Sequence, residues 1–178
     1  CEPHRTHLRQ AFDQRDKVYF AEQMLKQRGR SFEGLRVSVS GAGNVAQYSV
    51  EKAMVLGAKV VTVSDSSGTV VDESGFTPEK LAELMEVKNH LYGRVSDYAK
   101  RVGAAFQPGL RPWHVPVDVA LPCATQNELG GDDAQRLVKN GVICVAEGAN
   151  MPSTAEAVKV FEGHGVLYAP GKASNAGG

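Results

Sequence analysis

The stretch that most constrains the fold is Arg36-Val-Ser-Val-Ser40, an alternating apolar and polar run, leading into Gly41-Ala-Gly-Asn-Val-Ala46. A helical pattern follows at once: Ala46, Val50, Ala53 and Met54 share one face over residues 44–56, and Gly57 stands just past the end. Each small residue of the turn has a physical use. Gly41 permits a tight turn off a strand, Gly43 lets the backbone approach a ligand with no Cβ in the way, and Ala46 lets the helix lie close to a sheet. The helix then points its first N–H groups and positive dipole end at the turn, where a phosphate is stabilised. Asp65 lies 24 residues after Gly41, at the end of the next strand pattern, near the offset of a ribose-binding acid. The same spacing also fits an ordinary strand-to-helix turn in an α/β domain.

The rest of the chain repeats the alternation. Strands are predicted over 35–40, 59–64, 116–121, 142–146 and 166–169. Helices are predicted over 18–28, 44–56, 78–92, 132–140 and 153–162, with Thr77 capping the third and Pro78 at its first position. Residues 66–76, with two glycines around a Val-Val pair, are expected to form a small β excursion. Apolar strands alternating with helices imply an α/β fold, doubly wound and mostly parallel (Rossmann-type), with helices on both faces. Residues 18–178 form one dinucleotide-binding domain in this reading. Residues 1–17 are polar, without periodicity, and are expected to be poorly ordered or non-native. The ends, Cys1 and Ala-Gly-Gly178, read as those of a fragment.

Lys plus Arg and Asp plus Glu are 20 each, a balance that argues against nucleic acid as a partner. No apolar run is long enough to span a membrane. Three cysteines at unrelated spacings fit a reducing, cytoplasmic compartment, and His4 with His7 lacks the companions of a metal site, so no metal is expected. Cys123 has no histidine near it in sequence to act as a base and reads as packing, as does Trp113.

Several separated blocks resemble the cofactor-binding domain of glutamate dehydrogenase of the small hexameric, NADP-preferring microbial type. They are Ser31-Phe-Glu-Gly34, Gly41 through Tyr48, Ser64 through Phe76, Leu121 through Leu129, Glu147-Gly-Ala-Asn-Met-Pro152 and Ala169 through Gly178. The resemblance implies interconversion of L-glutamate with 2-oxoglutarate and ammonia by hydride transfer in a homo-hexameric full-length enzyme. It places the catalytic lysines, the aspartate and the substrate carboxylate clamps in a preceding domain, so no catalytic residue is expected here and the chain alone is expected to be inactive. Leucine- and phenylalanine-type dehydrogenases share the layout, and a non-catalytic NAD(P)-sensing module is a reading of another class; the block from Ser64 to Phe76 favours the glutamate type.

Carried over, the resemblance gives the pyrophosphate to the backbone at Gly43, Asn44 and Val45, and the adenosine ribose to Asp65 and Ser66. Lys88 becomes a candidate for the 2′-phosphate of NADP; from spacing alone it is equally a lysine snorkelling from the edge of an apolar helix face. Ala124, Thr125 and Gln126 resemble the loop beside the nicotinamide-side ribose. Asn150 and Asn175 resemble asparagines at the nicotinamide end, where an amide offers both donor and acceptor. The acid alone favours NAD, the alternative cofactor; Ser66, Ser67 and Lys88 favour NADP. Two departures stand out: Phe12-Asp-Gln-Arg-Asp16 replaces an Ala-Thr-Gly-Tyr-Gly run, and a second basic residue usual one turn after Lys88 is Leu91, with Arg94 beyond it.

Overall fold

The computed structural model describes residues 18–171. Asn175 and the 1–17 segment lie outside the described residues. Among the described residues, seven strands form one sheet in the order β4-β3-β2-β1-β5-β6-β7. They are β1 Arg36–Val39, β2 Lys59–Asp65, β3 Gly68–Val71, β4 Ala105–Pro108, β5 Val119–Leu121, β6 Cys144–Ala146 and β7 Leu167–Ala169. The pairs β1–β2, β1–β5, β5–β6 and β6–β7 are parallel. The expected doubly wound sheet is therefore present, with one end built differently: β2–β3 and β3–β4 are antiparallel. Asp65 pairs with Gly68, so Ser66 and Ser67 form a two-residue hairpin turn, the β excursion expected of this stretch. At Gly68 a Cβ would sit 2.3 Å from the Gln107 carbonyl oxygen, so only glycine lets β4 approach.

The helices are α1 over residues 18–27, α2 Asn44–Val55, α3 Pro78–Met85, α4 Val95–Val102, α5 Gly131–Lys139 and α6 Ala155–Gly163. Alternate strand residues face opposite layers, as the pleat requires. Val37, Val39, Val119, Leu121, Cys144 and Ala146 pack on the side of α1 to α4, whereas Val61, Ala120 and Val145 pack on the side of α5 and α6. Thr77 accepts a hydrogen bond from the Lys80 amide at 3.2 Å, and Thr154 caps α6 through the Ala157 amide at 3.3 Å. Among the described residues, no helix is long and apolar enough to cross a membrane.

Two elements differ from the sequence expectation. The helix expected over 78–92 is α-helical only to Met85 and widens into a π-helical turn over Glu86–His90. Residues 93–108, expected to carry no element, hold α4 and β4. The α4 helix is only eight residues long, and β4 is a half-exposed edge strand ending in Pro108, so neither carries a long periodic signal.

Candidate functional site

The chain leaves β1 through α2 toward β2 on one side, while β5 lies against β1 on the other. Between these diverging connections, at the C-terminal ends of β1, β2 and β5, a cleft of about 620 Å³ opens. This is the switch point where α/β sheets bind ligands. A groove of about 750 Å³ between α2 and α3 is larger, but it is lined mainly by apolar groups such as Met54, Phe76 and Leu81 and offers no convergent donors. Gly41, Gly43, Asp65, Ser66, Lys88, Ala124 and Thr125 all line the cleft at the switch point.

The glycine turn is held from both sides. Gly41 has φ +84°, and its amide donates to Ser64 Oγ at 2.9 Å while the Ser64 amide donates back to the Gly41 carbonyl at 3.2 Å. A Cβ on Gly41 would stand 3.0 Å from the Cys123 carbonyl oxygen. Gln47, buried in the first turns of α2, donates to the Ala42 carbonyl at 2.9 Å and pairs with Asn89. Gly43 is the N-cap of α2; no side chain caps the helix and no acid occupies its first turn. A Cβ on Gly43 would meet nothing within 4 Å, so packing does not call for glycine there. Asn44 and Val45 follow in that uncapped first turn, whose N–H groups form a ready anion site.

At the opposite wall, Asp65 accepts from the Ser67 amide at 2.8 Å, the Ser67 hydroxyl, the Val95 amide at 2.9 Å and Lys88 Nζ at 3.3 Å. Burial pushes the carboxyl up, but these donors and the Lys88 charge outweigh it and hold Asp65 below the usual range. Four donors meet its roughly four lone-pair positions, so Asp65 organises this wall: it starts α4 and positions Lys88. The π-helical turn carries Lys88 to that contact and to the Gly93 carbonyl at 3.2 Å. Arg94 donates to Ser66 Oγ at 2.6 Å, bringing a second cation beside the first.

The remaining wall comes from two loops joined to each other. The Gly148 and Ala149 amides donate to the Pro122 carbonyl at 2.8 and 3.0 Å, the Asn127 amide to Met151, and the Leu129 amide to Pro152. Asn150 is exposed on this second loop and Gln126 on the first; neither lines the cleft directly. Asn127, in left-handed backbone with φ 55°, does not cap the next helix; Gly130 takes that position. Glu147, ahead of Gly148, is buried, and burial pushes its carboxyl to about 7 against hydrogen bonds from the Gly171 and Ser153 amides. Cys123 is buried, and Trp113 is core, with its indole N–H donating to the Glu128 carbonyl at 3.2 Å.

Sequence reasoning missed Ser40, Ser64, Gln47, Arg111 and Glu128 as parts of the site. Ser40 and Ser64 each end a strand pattern with a hydroxyl, which is a usable signal; Arg111 and Glu128 have none short of the fold.

Fold and cleft together define an α/β domain of the doubly wound class with a cleft at its switch point. The chain belongs to the Glutamate/Leucine/Phenylalanine/Valine dehydrogenase family, whose model matches residues 7–178. It is 66% identical over 161 residues to the NADP-specific glutamate dehydrogenase of Escherichia coli (strain K12), spanning 90% of this chain and 36% of that protein. It resembles the crystal structure of Plasmodium falciparum glutamate dehydrogenase with a TM-score of 0.91 at 44% identity, covering 96% of this chain and 37% of that one. The hetero-hexameric glutamate dehydrogenase of Thermus thermophilus superposes with a TM-score of 0.71 at 27% identity, covering 93% of this chain and 36% of that one. The chain thus spans little more than a third of the length of the relatives it matches.

Proposed function

We propose that residues 18–178 form the NADP(H)-binding domain of a glutamate dehydrogenase, which interconverts L-glutamate and 2-oxoglutarate plus ammonia. The observation that carries this reading is one cleft lined by the uncapped α2 N-terminus at Gly43 and by Ser66 and Lys88, with Arg94 hydrogen-bonded to Ser66 from outside that lining. The first belongs to a pyrophosphate and the second to a further phosphate. The dinucleotide supplies the hydride acceptor or donor. The chain's own residues bind and orient it: Asn44 and Val45 give N–H groups to the pyrophosphate, and Lys88, Arg94 and Ser66 take the 2′-phosphate. Asp65 keeps the cations in place. Ala124, Thr125 and Gln126 meet the nicotinamide-side ribose, and the amides of Asn150 and Asn175 meet the carboxamide. NAD as the cofactor rests on Asp65, and four donors of the chain already occupy that carboxylate. The substrate clamps and catalytic groups belong to a separate domain of the same polypeptide, which assembles as a homo-hexamer and works in the cytoplasm.

Calorimetric titration of NADP and NAD into the chain tests the reading. NADP binds tighter, and Lys88→Ala narrows the gap by about 10-fold or more, the worth of one charge-assisted hydrogen bond. Gly43→Val abolishes binding of both while the fold survives. Equal affinities in the parent chain would remove the 2′-phosphate assignment, and unchanged affinity in Gly43→Val would remove the pyrophosphate site. The chain mixed with glutamate and NADP gives no absorbance change; turnover would place the chemistry inside this domain.

A further inference from the structure

Glu128 has only 4% of its surface exposed, yet it lines the cleft beside the glycine turn. Its Oε1 accepts from the Ser40 hydroxyl, and its Oε2 accepts from the Thr125 amide at 3.4 Å. Ser40, the residue before Gly41, in turn accepts from the Cys123 amide at 2.9 Å. One carboxyl therefore fastens the exit of β1, which carries the glycine turn, to the exit of β5, which carries Ala124 and Thr125. The Glu128 main-chain carbonyl adds a third element, accepting from Arg111 Nη1 at 2.5 Å and from the Trp113 indole at 3.2 Å. Arg111 is the cation facing the carboxyl, but its hydrogen bond goes to the carbonyl. Ser40 lies at the β1 exit, and Cys123, Ala124 and Thr125 lie at the β5 exit. Asp65 and Lys88 line the far wall of the cleft, Asp132 and Asp133 open α5, and Glu147 precedes the adjoining loop. Burial pushes the Glu128 carboxyl above the usual carboxylate range, against the Ser40 hydroxyl, the Thr125 and Ala124 amides and the Arg111 charge.

We propose that Glu128 is a positioning residue of the dinucleotide cleft: its carboxyl holds the glycine turn and the Ala124–Gln126 loop at the separation the ligand needs, and its charge sets how tightly an anionic dinucleotide binds. The proposal rests on the dinucleotide reading above. When neutral, the carboxyl keeps its hydrogen bonds and leaves the positive end of α2 uncontested. When ionised, it places a negative charge on the floor of a pyrophosphate site, and affinity falls.

The test is calorimetric titration of NADP into the parent chain, Glu128→Gln and Glu128→Ala at two pH values, one near the ordinary carboxylate value of 4.5 and one well into the alkaline range, with circular dichroism confirming that each is folded. Between these pH values the parent loses roughly threefold or more in affinity beyond the change seen in Glu128→Gln, whose amide stays neutral. The 2′-phosphate titrates alike in both and cancels in the comparison. Glu128→Ala, which lacks the tie, binds more weakly than Glu128→Gln at both pH values. Parallel pH profiles for the parent and Glu128→Gln, or equal affinities for the Gln and Ala variants, would overturn the proposal. A parent chain that binds no NADP at either pH would instead sink the dinucleotide reading, and this proposal with it.

Discussion

Two glycines one residue apart do different work. Gly41 is needed by the fold, with φ +84° and the Cys123 carbonyl close against the place of a Cβ. Gly43 is open on that side, and its lack of a side chain matters to whatever enters the cleft. Gly41→Ala is expected to cost about 2 kcal/mol or more in chemical denaturation, from backbone strain plus crowding. Gly43→Ala is expected to cost no more than about 1 kcal/mol, the difference between the two residues as an N-cap. The motif already gave Gly41 to the turn and Gly43 to the ligand's approach; the Cys123 carbonyl that crowds Gly41 comes from the β5 exit, which only the fold places there. Glu147 belongs to the same scale. Its folded value of about 7 exceeds the ordinary 4.5, so the unfolded chain ionises first as pH rises. Stability is intact below about pH 4.5 and falls until about pH 7, by up to roughly 3 kcal/mol. Glu147→Gln removes this dependence. Urea melts of parent and variant on either side of that window measure it, and equal pH slopes would reject it.

At the level of elements, a boundary with local chemistry was legible: Thr77-Pro78 starts α3. The end of α3 was not. A helix drawn through to residue 92 puts Lys88 at the margin of an apolar stripe, whereas the π turn delivers it to Asp65. The α4 helix was missed because its start is secured from elsewhere, by Asp65 accepting the Val95 amide across 30 residues of sequence. Once placed, α4 buries Tyr98 fully, stacked on Phe76 with ring centroids 5.7 Å apart. Among the described residues, the Tyr98 hydroxyl has no hydrogen-bond partner. Burial, together with the Asp72 and Glu83 charges, pushes the phenol well above its usual range. Tyr98→Phe keeps the ring and removes an unsatisfied hydroxyl, so it is expected to stabilise the protein by about 1 kcal/mol. A lower melting temperature in the variant would show that the hydroxyl is paired.

Across the whole molecule, the sheet separates two apolar layers, and the cleft is built from the α2 side and the strand ends. Phe161 in α6 is buried in the other layer, against Tyr168. Phe161→Ala should lose about 3–5 kcal/mol of stability, while dinucleotide affinity of the folded fraction stays within about twofold, as expected for independent sites. A larger loss of affinity would mean that the two layers are coupled. The amino-acid sequence by itself determined the α/β class, the glycine turn and a mostly parallel sheet, because strand alternation, helical periodicity and turn chemistry are local properties carried by consecutive residues. Only the tertiary structure decided the pairing of β4 onto β3 at the antiparallel end of the sheet, the delivery of Lys88 and Arg94 to Asp65 and Ser66, and the Ser40–Glu128 tie beneath the cleft. The side-chain contacts among them join residues 23 to 88 positions apart, and their energies exist only after the chain has closed the loops between them.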